Sequence, residues 1–469
     1  MKERGVRQGL IDRVEEVLRE TKSNVRRGKE KGESFWMAKG LRQGCLLSPI
    51  LFNLLIADIE DHMRKGGWGG VSVKGEKIYT LMYADDIAVL AEEEQDMRSM
   101  ISRLEGYLDR KGLTLSTEKT KIIRFRKGGG RKKKYDWRWK GKKLEEVKEF
   151  KYLGYTLMAN GRQEAHIRER RRKAARVMRE VWGIGKRMWK KDCKRRIWLY
   201  DTLIWTVMGY GAKIWGWKER REVEGIHERY LRWTLGVNWR TPGYMVRDEL
   251  EREKMGARAS KRAWKFERKL EEGRGGKIAK KCLEEMKERW KKERIIGRWE
   301  QERKDYWEGI GVEKGGEEGL TEEAIEHKEK AKQRQERMGK IMESKYNRWY
   351  KRIRKDGIPE YLKKGWEEAR WNRIARFRLG NEIREGLYWG KEEDKKCRIC
   401  EKKEETWEHV WEECSRWEDW EGESWQDVVE KIMSEKGEGE EWMKAIEEMR
   451  SGGGGRKKRL RNRWLRKFI

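Results

Sequence analysis

A chain of 469 residues has room for about three domains of roughly 150 residues each and for a sizeable buried core. Charged residues make up 43% of it, and 117 Lys and Arg against 84 Asp and Glu leave a formal net charge of +33, which favours a polyanion, ordinarily nucleic acid, as partner. The 27 Trp argue against a disordered polyelectrolyte, and the 6 Cys are too few for a disulfide scaffold. No apolar run approaches the roughly 18 residues of a membrane span, and the charged opening MKERGVRQGL is no secretory signal, which leaves a nuclear or cytoplasmic protein.

In chain order, Leu10, Ile11, Val14, Val17 and Leu18 recur at helical spacing across residues 9–20. A charged loop follows, then a short aromatic stretch, Phe35–Trp36–Met37. Residues 40–49 read as a loop leading into a helix, with Ser48 as N-cap and Pro49 in the first turn. Ile50, Leu51, Leu54, Leu55 and Ile59 carry that helix to Arg64, and Gly66–Gly67 ends it. Residues 78–91, IYTLMYADDIAVLA, are two apolar runs about two aspartates, the pattern of a hairpin with acids at its tip. An amphipathic helix is predicted over 96–111, a strand over 119–126, a basic Gly-rich loop over 127–134, and a strand or hairpin from Phe150 to Met158.

From Glu164 to Val237 the period is helical. Residues 250–350 are rich in Lys, Glu and Arg with little apolar stripe, as in long exposed helix or linker. Residues 359–389 turn apolar again, through Trp366, Trp371, Ile374, Phe377 and Leu387. A Cys/His cluster, an acidic Trp-rich stretch, Gly452–Gly455 and a basic tail complete the chain. The tail RKKRLRNRWLRKF reads either as a nuclear-targeting or nucleic-acid segment or as a solvated end.

Phosphoryl transfer by two divalent ions needs carboxylates converging on one point, and Asp85–Asp86 between apolar strands meets part of that need. Alone, an Asp pair also occurs in solvated turns. Tyr83–Ala84–Asp85–Asp86 has company, however. Upstream stands GLRQGCLLSP, Gly40 to Pro49, followed by Ile50–Leu51–Phe52–Asn53. Downstream stand Lys119 in LSTEKTKIIRF and Phe150–Lys151–Tyr152–Leu153–Gly154. In this order and spacing the motifs resemble the palm of reverse transcriptases of non-LTR (LINE-like) retrotransposons, over residues 5 to 240 and again at the Cys/His cluster.

The resemblance implies RNA-directed DNA polymerisation by two-metal nucleotidyl transfer, with RNA and DNA as partners and magnesium as the catalytic ion. It makes Asp85 a metal ligand and Asp86 its neighbour supporting metal or primer, with Tyr83 close to the primer end. Gln43 and Gly44 match the loop that touches incoming nucleotide and template, and Tyr152, Leu153 and Gly154 match the primer grip. Lys119 matches a lysine acting on the leaving pyrophosphate; in a chain so rich in Lys it reads equally well as a solvated surface residue. Two departures stand out. Leu46 occupies a position usually Pro in the family. The family's first catalytic aspartate lies upstream of the segment resembled by GLIDRVEEVLRETKSNVRRG, which here begins almost at Met1, and the only early candidate, Asp12, sits in a helical pattern. The expectation is a truncated palm without that strand, its aspartate or the fingers region.

The second strong pattern is Cys397-x2-Cys400-x8-His409-x4-Cys414, three thiolates and an imidazole at the spacing of a closed, structural zinc site. Such a site supplies about 10–16 kcal/mol of apparent binding energy near neutral pH. Trp407–Cys414 is predicted to be a helix that brings His409 and Cys414 to one ion, with no other core between Lys391 and Trp420. This setting also resembles the C-terminal zinc-knuckle region of the same retrotransposon proteins. Cys45, Cys193 and Cys282 read as free thiols, and His62, His166, His227 and His327 as surface histidines.

The expected fold is therefore α+β: a partial palm with a small antiparallel sheet over 1–160, a helical thumb over 161–245, a charged helical connector over 246–358, a helical segment with the zinc module over 359–425, and an acidic stretch with a basic tail over 426–469. Three functions remain open: a polymerase whose missing strand comes from a longer product or another chain, a catalytically dead nucleic-acid-binding remnant, and a scaffold built on charged helices.

Overall fold

The computed structural model describes residues 1–19, 22–36, 40, 44–126, 135–292, 297–313, 316, 319–386, 389–414 and 424–451. Met37, Gln43, the 127–134 loop, Leu387, residues 415–423 of the acidic Trp-rich stretch, Gly452–Gly455 and the basic tail lie outside them. The chain divides into two compact units, Met1–Phe150 and Lys151–Ile469. No described helix is long and apolar enough to cross a membrane.

The first unit mixes short helices with small sheets. It begins with α1 (Gln8–Arg19), β1 (Lys22–Arg27), β2 (Glu30–Trp36), α2 (Ser48–Ile56) and α3 (Ile59–Arg64). It continues with β3 (Val71–Val73), β4 (Glu76–Ile78), β5 (Thr80–Tyr83), β6 (Asp86–Val89) and α4 (Glu94–Arg110). Next come β7 (Lys121–Ile123), β8 (Trp137–Trp139) and β9 (Lys142–Val147), and β10 (Glu149–Tyr152) begins at its end.

Where a charged loop was expected, β1 and β2 form an antiparallel hairpin, with Arg27 opposite Glu30. Gly28, at φ 63°, makes that tight turn possible; the strands carry no apolar alternation that would have announced them. The predicted single helix from Ser48 to Arg64 is two, α2 and α3, and its N-cap is Leu47 rather than Ser48.

The sheet is not purely antiparallel. β7 pairs parallel with β9, and β8 joins the other edge of β9 antiparallel. Trp137 and Trp139 alternate with exposed Arg138, so one face of β8 is apolar. That face meets Met100, Leu104, Tyr107 and Leu108 of α4 and Ile59 and Met63 of α3 in one buried cluster.

The second unit is nearly all helix. A two-stranded sheet, β10 with β11 (Tyr155–Met158), opens it. Then follow α5 (Glu164–Met188), α6 (Cys193–Leu199), a π-helical turn Tyr200–Ile204, α7 (Trp205–Met208), α8 (Ala212–Trp215), α9 (Arg221–Leu235) and α10 (Gly243–Glu249). After these come α11 (Met255–Glu271), α12 (Lys277–Lys291), α13 (Arg298–Gly309), α14 (Glu322–Met342), α15 (Tyr350–Ile353), α16 (Glu368–Arg378), α17 (Glu392–Lys395), α18 (Trp425–Ile432) and α19 (Glu440–Ser451).

The 250–350 stretch is helical but not simply exposed. Trp264, Trp307, Ile310 and Ile325 bury themselves with Trp217 in a cluster of their own. The charges around it pair off, as Arg303 with Glu267 at 3.0 Å and Arg220 with Glu302 at 2.8 Å. The largest core gathers residues of α9, α10, α15, α16, α18 and α19 with Cys397, Trp407, Val410 and Trp411. Two histidines predicted on the surface are buried here: His166 stacks on Tyr155 at 3.9 Å between ring centroids, and His227 lies against Tyr200.

Candidate active-site hairpin and metal centre

β5 and β6 pair in the register Thr80↔Val89, Leu81↔Ala88, Met82↔Ile87 and Tyr83↔Asp86. Ala84 and Asp85 are thus the two turn residues, and Asp86 opens the second strand. Ala84 has φ 53° and Asp85 does not share the positive sign, the pattern of a type II′ turn, which normally takes Gly first. A non-Gly residue there costs on the order of 1–3 kcal/mol and persists only where its surroundings impose it. The base of the hairpin is pinned to a neighbouring helix. The Glu60 carboxylate on α3 accepts the backbone N–H of Tyr79 at 3.2 Å and of Thr80 at 3.0 Å, and also takes the Thr80 hydroxyl. Glu60 had no motif to mark it in the sequence.

Asp85 and Asp86 are both exposed, beside the exposed Leu81, Met82 and Tyr83. Carboxylates supply the oxygen donors that magnesium takes. Among the described residues, no third acidic, His or Cys ligand atom joins Asp85 and Asp86 in a metal-holding group. Two-metal chemistry needs ligands bridging both ions. Lys119 is an exposed turn residue just before β7, and Gly44 lies in a turn before α2 with φ 87°. Tyr152 ends β10, and Leu153 (φ 46°) and Gly154 (φ 77°) form the turn to β11. That turn is clamped. The Tyr210 hydroxyl donates to Leu153 O at 2.6 Å, and Arg170, stacked over Tyr210, donates to Gly154 O at 3.2 Å. A Cβ on Gly154 would sit 3.2 Å from the Tyr210 oxygen, so both φ and space favour Gly.

Helix α5 carries an uneven distribution of charge. Glu169 pairs with Lys173 at 2.9 Å and Lys151 at 2.7 Å. Arg168, Arg171, Arg172, Arg176 and Arg179 are exposed and pair with no carboxylate among the described residues. Arg168, Arg172, Arg176 and Arg179 fall on one face, since residues four or three apart are helical neighbours. Like charges at that spacing destabilise a helix by about 0.2–0.5 kcal/mol per pair, a strain that a bound polyanion relieves.

The four residues Cys397, Cys400, His409 and Cys414 come together, with one ligand atom from each within 4.8 Å of the others. Cys397 Sγ lies 3.6 Å from Cys414 Sγ, and Cys400 Sγ lies 3.2 Å from His409 Nε2. Bonds of about 2.3 Å to sulfur and about 2.0 Å to nitrogen at tetrahedral angles give edges of roughly 3.5–3.8 Å; the separations here lie either side of that, and the donor set is compatible with zinc. The Trp407–Cys414 helix is π-helical from His409 to Cys414 rather than regular α. In an α-helix residues five apart diverge by roughly 140°; the wider π turn, which bonds i to i+5, brings His409 and Cys414 round to the same side.

Around these four atoms the environment acts unequally on the thiols. Burial opposes ionisation, but the backbone N–H groups of Lys402 and Lys403, with His409, pull the Cys400 thiol down to about 6. Cys414 moves the opposite way, through burial and through Cys397 and Cys400. Three thiolates so close need a cation to coexist. His409 Nδ1 lies 2.8 Å from Glu413, which is also held by Lys403 at 2.9 Å. Sequence spacing alone missed Glu413. The prediction of no local core also fails: Trp407 packs 6.1 Å from Phe377 and Trp411 5.2 Å from Trp442, centroid to centroid.

The stretch that holds this hairpin also has known relatives. Residues 6–157 match the family described as reverse transcriptase (RNA-dependent DNA polymerase). The retrovirus-related Pol polyprotein from type-1 retrotransposable element R2 of Popillia japonica is 26% identical over 163 residues, 34% of this chain and 27% of that protein. The corresponding polyprotein of Nasonia vitripennis is 32% identical over 117 residues, 25% of this chain and 11% of that protein. The RNA-directed DNA polymerase from mobile element jockey of Drosophila melanogaster is 24% identical over 251 residues, 50% of this chain and 26% of that protein. The chain spans about a quarter or less of these relatives. It carries a reverse transcriptase domain, and the domain is of the non-LTR retrotransposon kind.

Proposed function

We propose that the chain is the template- and primer-binding part of an RNA-directed DNA polymerase, with one side of its two-metal centre in place. In this reading Asp85 and Asp86 hold magnesium, with Tyr83 beside the primer end. Gln43 and Gly44 lie against template and nucleotide, Lys119 meets the pyrophosphate, and Tyr152–Gly154 grips the primer. Magnesium, when bound, would neutralise charge on the transferring phosphoryl group. The chain's own contribution is to aim two carboxylates from a strained turn anchored by Glu60. Without a further acid brought to that turn, the chain binds nucleic acid and does not extend it. The observation that carries this is the pair of exposed aspartates with no third ligand among the described residues.

Cys397, Cys400, His409 and Cys414 hold one structural zinc ion in this reading. All four positions are protein ligands, which leaves no site for water. The unpaired α5 arginines support binding to a nucleic-acid backbone. On duplex DNA each neutralised phosphate contributes a log–log salt slope of about −0.9. Replacing Arg168, Arg172, Arg176 and Arg179 with Ala should therefore flatten the salt dependence of the Kd by about 3 to 4 in slope. An unchanged slope, or wild-type binding insensitive to salt, overturns this reading.

A further inference from the structure

The loop between α9 and α10 is short and firmly held. It leaves α9 at Gly236, φ 64°, and enters α10 at Pro242. Arg232 Nε donates to Thr241 O at 2.8 Å, and Asn238 N donates to Asn381 Oδ1 at 2.5 Å. The Asn381 amide reaches Thr241 Oγ1 at 2.9 Å and the Tyr346 hydroxyl at 3.3 Å. A loop so fixed places its two central side chains by design of the backbone, and those two are the ones the core does not use.

Trp239 is 74% exposed, the most exposed Trp among the described residues. Arg240 has no carboxylate partner among them, while nearby Arg232 pairs with Glu228 at 3.1 Å. Instead its guanidinium carbon lies 5.1 Å from the Trp239 ring centroid and 5.7 Å from that of Trp389. Trp389 in turn stacks nearly parallel on Tyr346, 5.7 Å between centroids and 8° between planes. The result is a series of flat groups: indole, guanidinium, indole, phenol. Its last member is anchored in the core and its first is open to water.

An exposed Trp forgoes the large burial gain available to its ring. Flat aromatic and guanidinium faces held rigidly from below are what an unpaired base stacks on, whatever its identity. A duplex offers no such faces, because its bases are already stacked. We propose that the open face of Trp239, backed by Arg240 and Trp389, is a stacking platform for the unpaired bases of a single-stranded nucleic acid. The proposal rests on the reading that the chain binds nucleic acid, and adds to it a place that distinguishes single strands from duplex.

The experiment uses the full chain and labelled oligothymidylate of about a dozen nucleotides, within the span such surfaces cover, against a duplex of the same length. Fluorescence anisotropy gives both Kd values. The Trp239→Ala/Trp389→Ala variant should weaken single-strand binding about 5- to 100-fold, the range expected for lost base stacking, and leave duplex binding within about twofold. Trp239→Phe should recover most of the affinity, which a merely misfolded loop would not allow. An iodouracil-bearing strand should crosslink to Trp239. Unchanged single-strand affinity in the double variant, or an equal loss on duplex, overturns the platform while leaving nucleic-acid binding intact. Absence of binding to either probe by the wild-type chain overturns the broader reading as well.

Discussion

His409 Nδ1 faces the Glu413 carboxylate at 2.8 Å, one helical step away, which leaves Nε2 turned toward Cys400. Burial opposes protonation of this imidazole, and Glu413 and Cys400 raise its pKa against that. A carboxylate behind a ligating His fixes the tautomer and strengthens the ligand, and removing one typically costs 10–100-fold in metal affinity. Glu413→Ala should therefore weaken zinc binding about 10- to 100-fold in a chelator competition, with zinc stoichiometry preserved at saturating metal. An unchanged affinity would show that Glu413 does not orient the ligand.

Because Trp407, Val410 and Trp411 belong to the large helical core, loss of metal should be felt beyond the knuckle. Chelation should lower the thermal midpoint of the helical unit, and Cys400→Ser should lower it similarly and abolish the response to chelator. A midpoint indifferent to chelator in the wild-type chain would rule out a structural zinc.

Much of this was legible in the sequence, and the parts that were not share a cause. The Asp85–Asp86 hairpin, α4 and the Cys3His spacing follow from period and residue type, which are local. Glu60 and Glu413 act through contacts that no local pattern records. The parallel pairing of β7 with β9 depends on strands more than twenty residues apart in number, Lys121 opposite Glu145. The β1–β2 hairpin was hidden because its strands are exposed at every residue but Ser23 and lack an apolar face. Burial of His166 and His227 is likewise a tertiary outcome, since each sits on a helix otherwise rich in charge.

Arg378 and Glu249 are each about 1% exposed and meet at 2.6 Å, with the Tyr361 and Tyr350 hydroxyls donating to the same carboxylate at 2.7 and 3.0 Å. They join α10 to α16. Removing one partner of such a pair strands a buried charge, so Glu249→Ala should destabilise the helical unit by about 3–5 kcal/mol in denaturant unfolding. A loss below about 1 kcal/mol, the range of surface pairs, would mean that the pair is solvated.

Glu224 on α9 is buried; one oxygen accepts the Gly256 N–H at 2.8 Å and the other has no partner among the described residues. Burial pushes its carboxyl up to about 7, against the pull of the Gly256 and Met255 N–H groups. The folded protein thus keeps this proton where the unfolded chain, at the ordinary 4.5, has released it. Stability from this group is fully present below about 4.5, falls as pH rises, and is gone above about 7. Glu224→Gln should flatten that slope and raise stability near pH 8 by up to about 3 kcal/mol. A variant with the wild-type pH profile would show that Glu224 ionises normally.

The central claim is that Asp85 and Asp86 are one side of a two-metal centre in a chain that binds nucleic acid without extending it. Primer extension on an RNA template with magnesium and all four deoxynucleotides tests this most directly. The account predicts a retained template–primer complex and no incorporation, for the wild-type chain and for Asp85→Ala alike. Template-dependent incorporation by the wild-type chain that Asp85→Ala abolishes would contradict it.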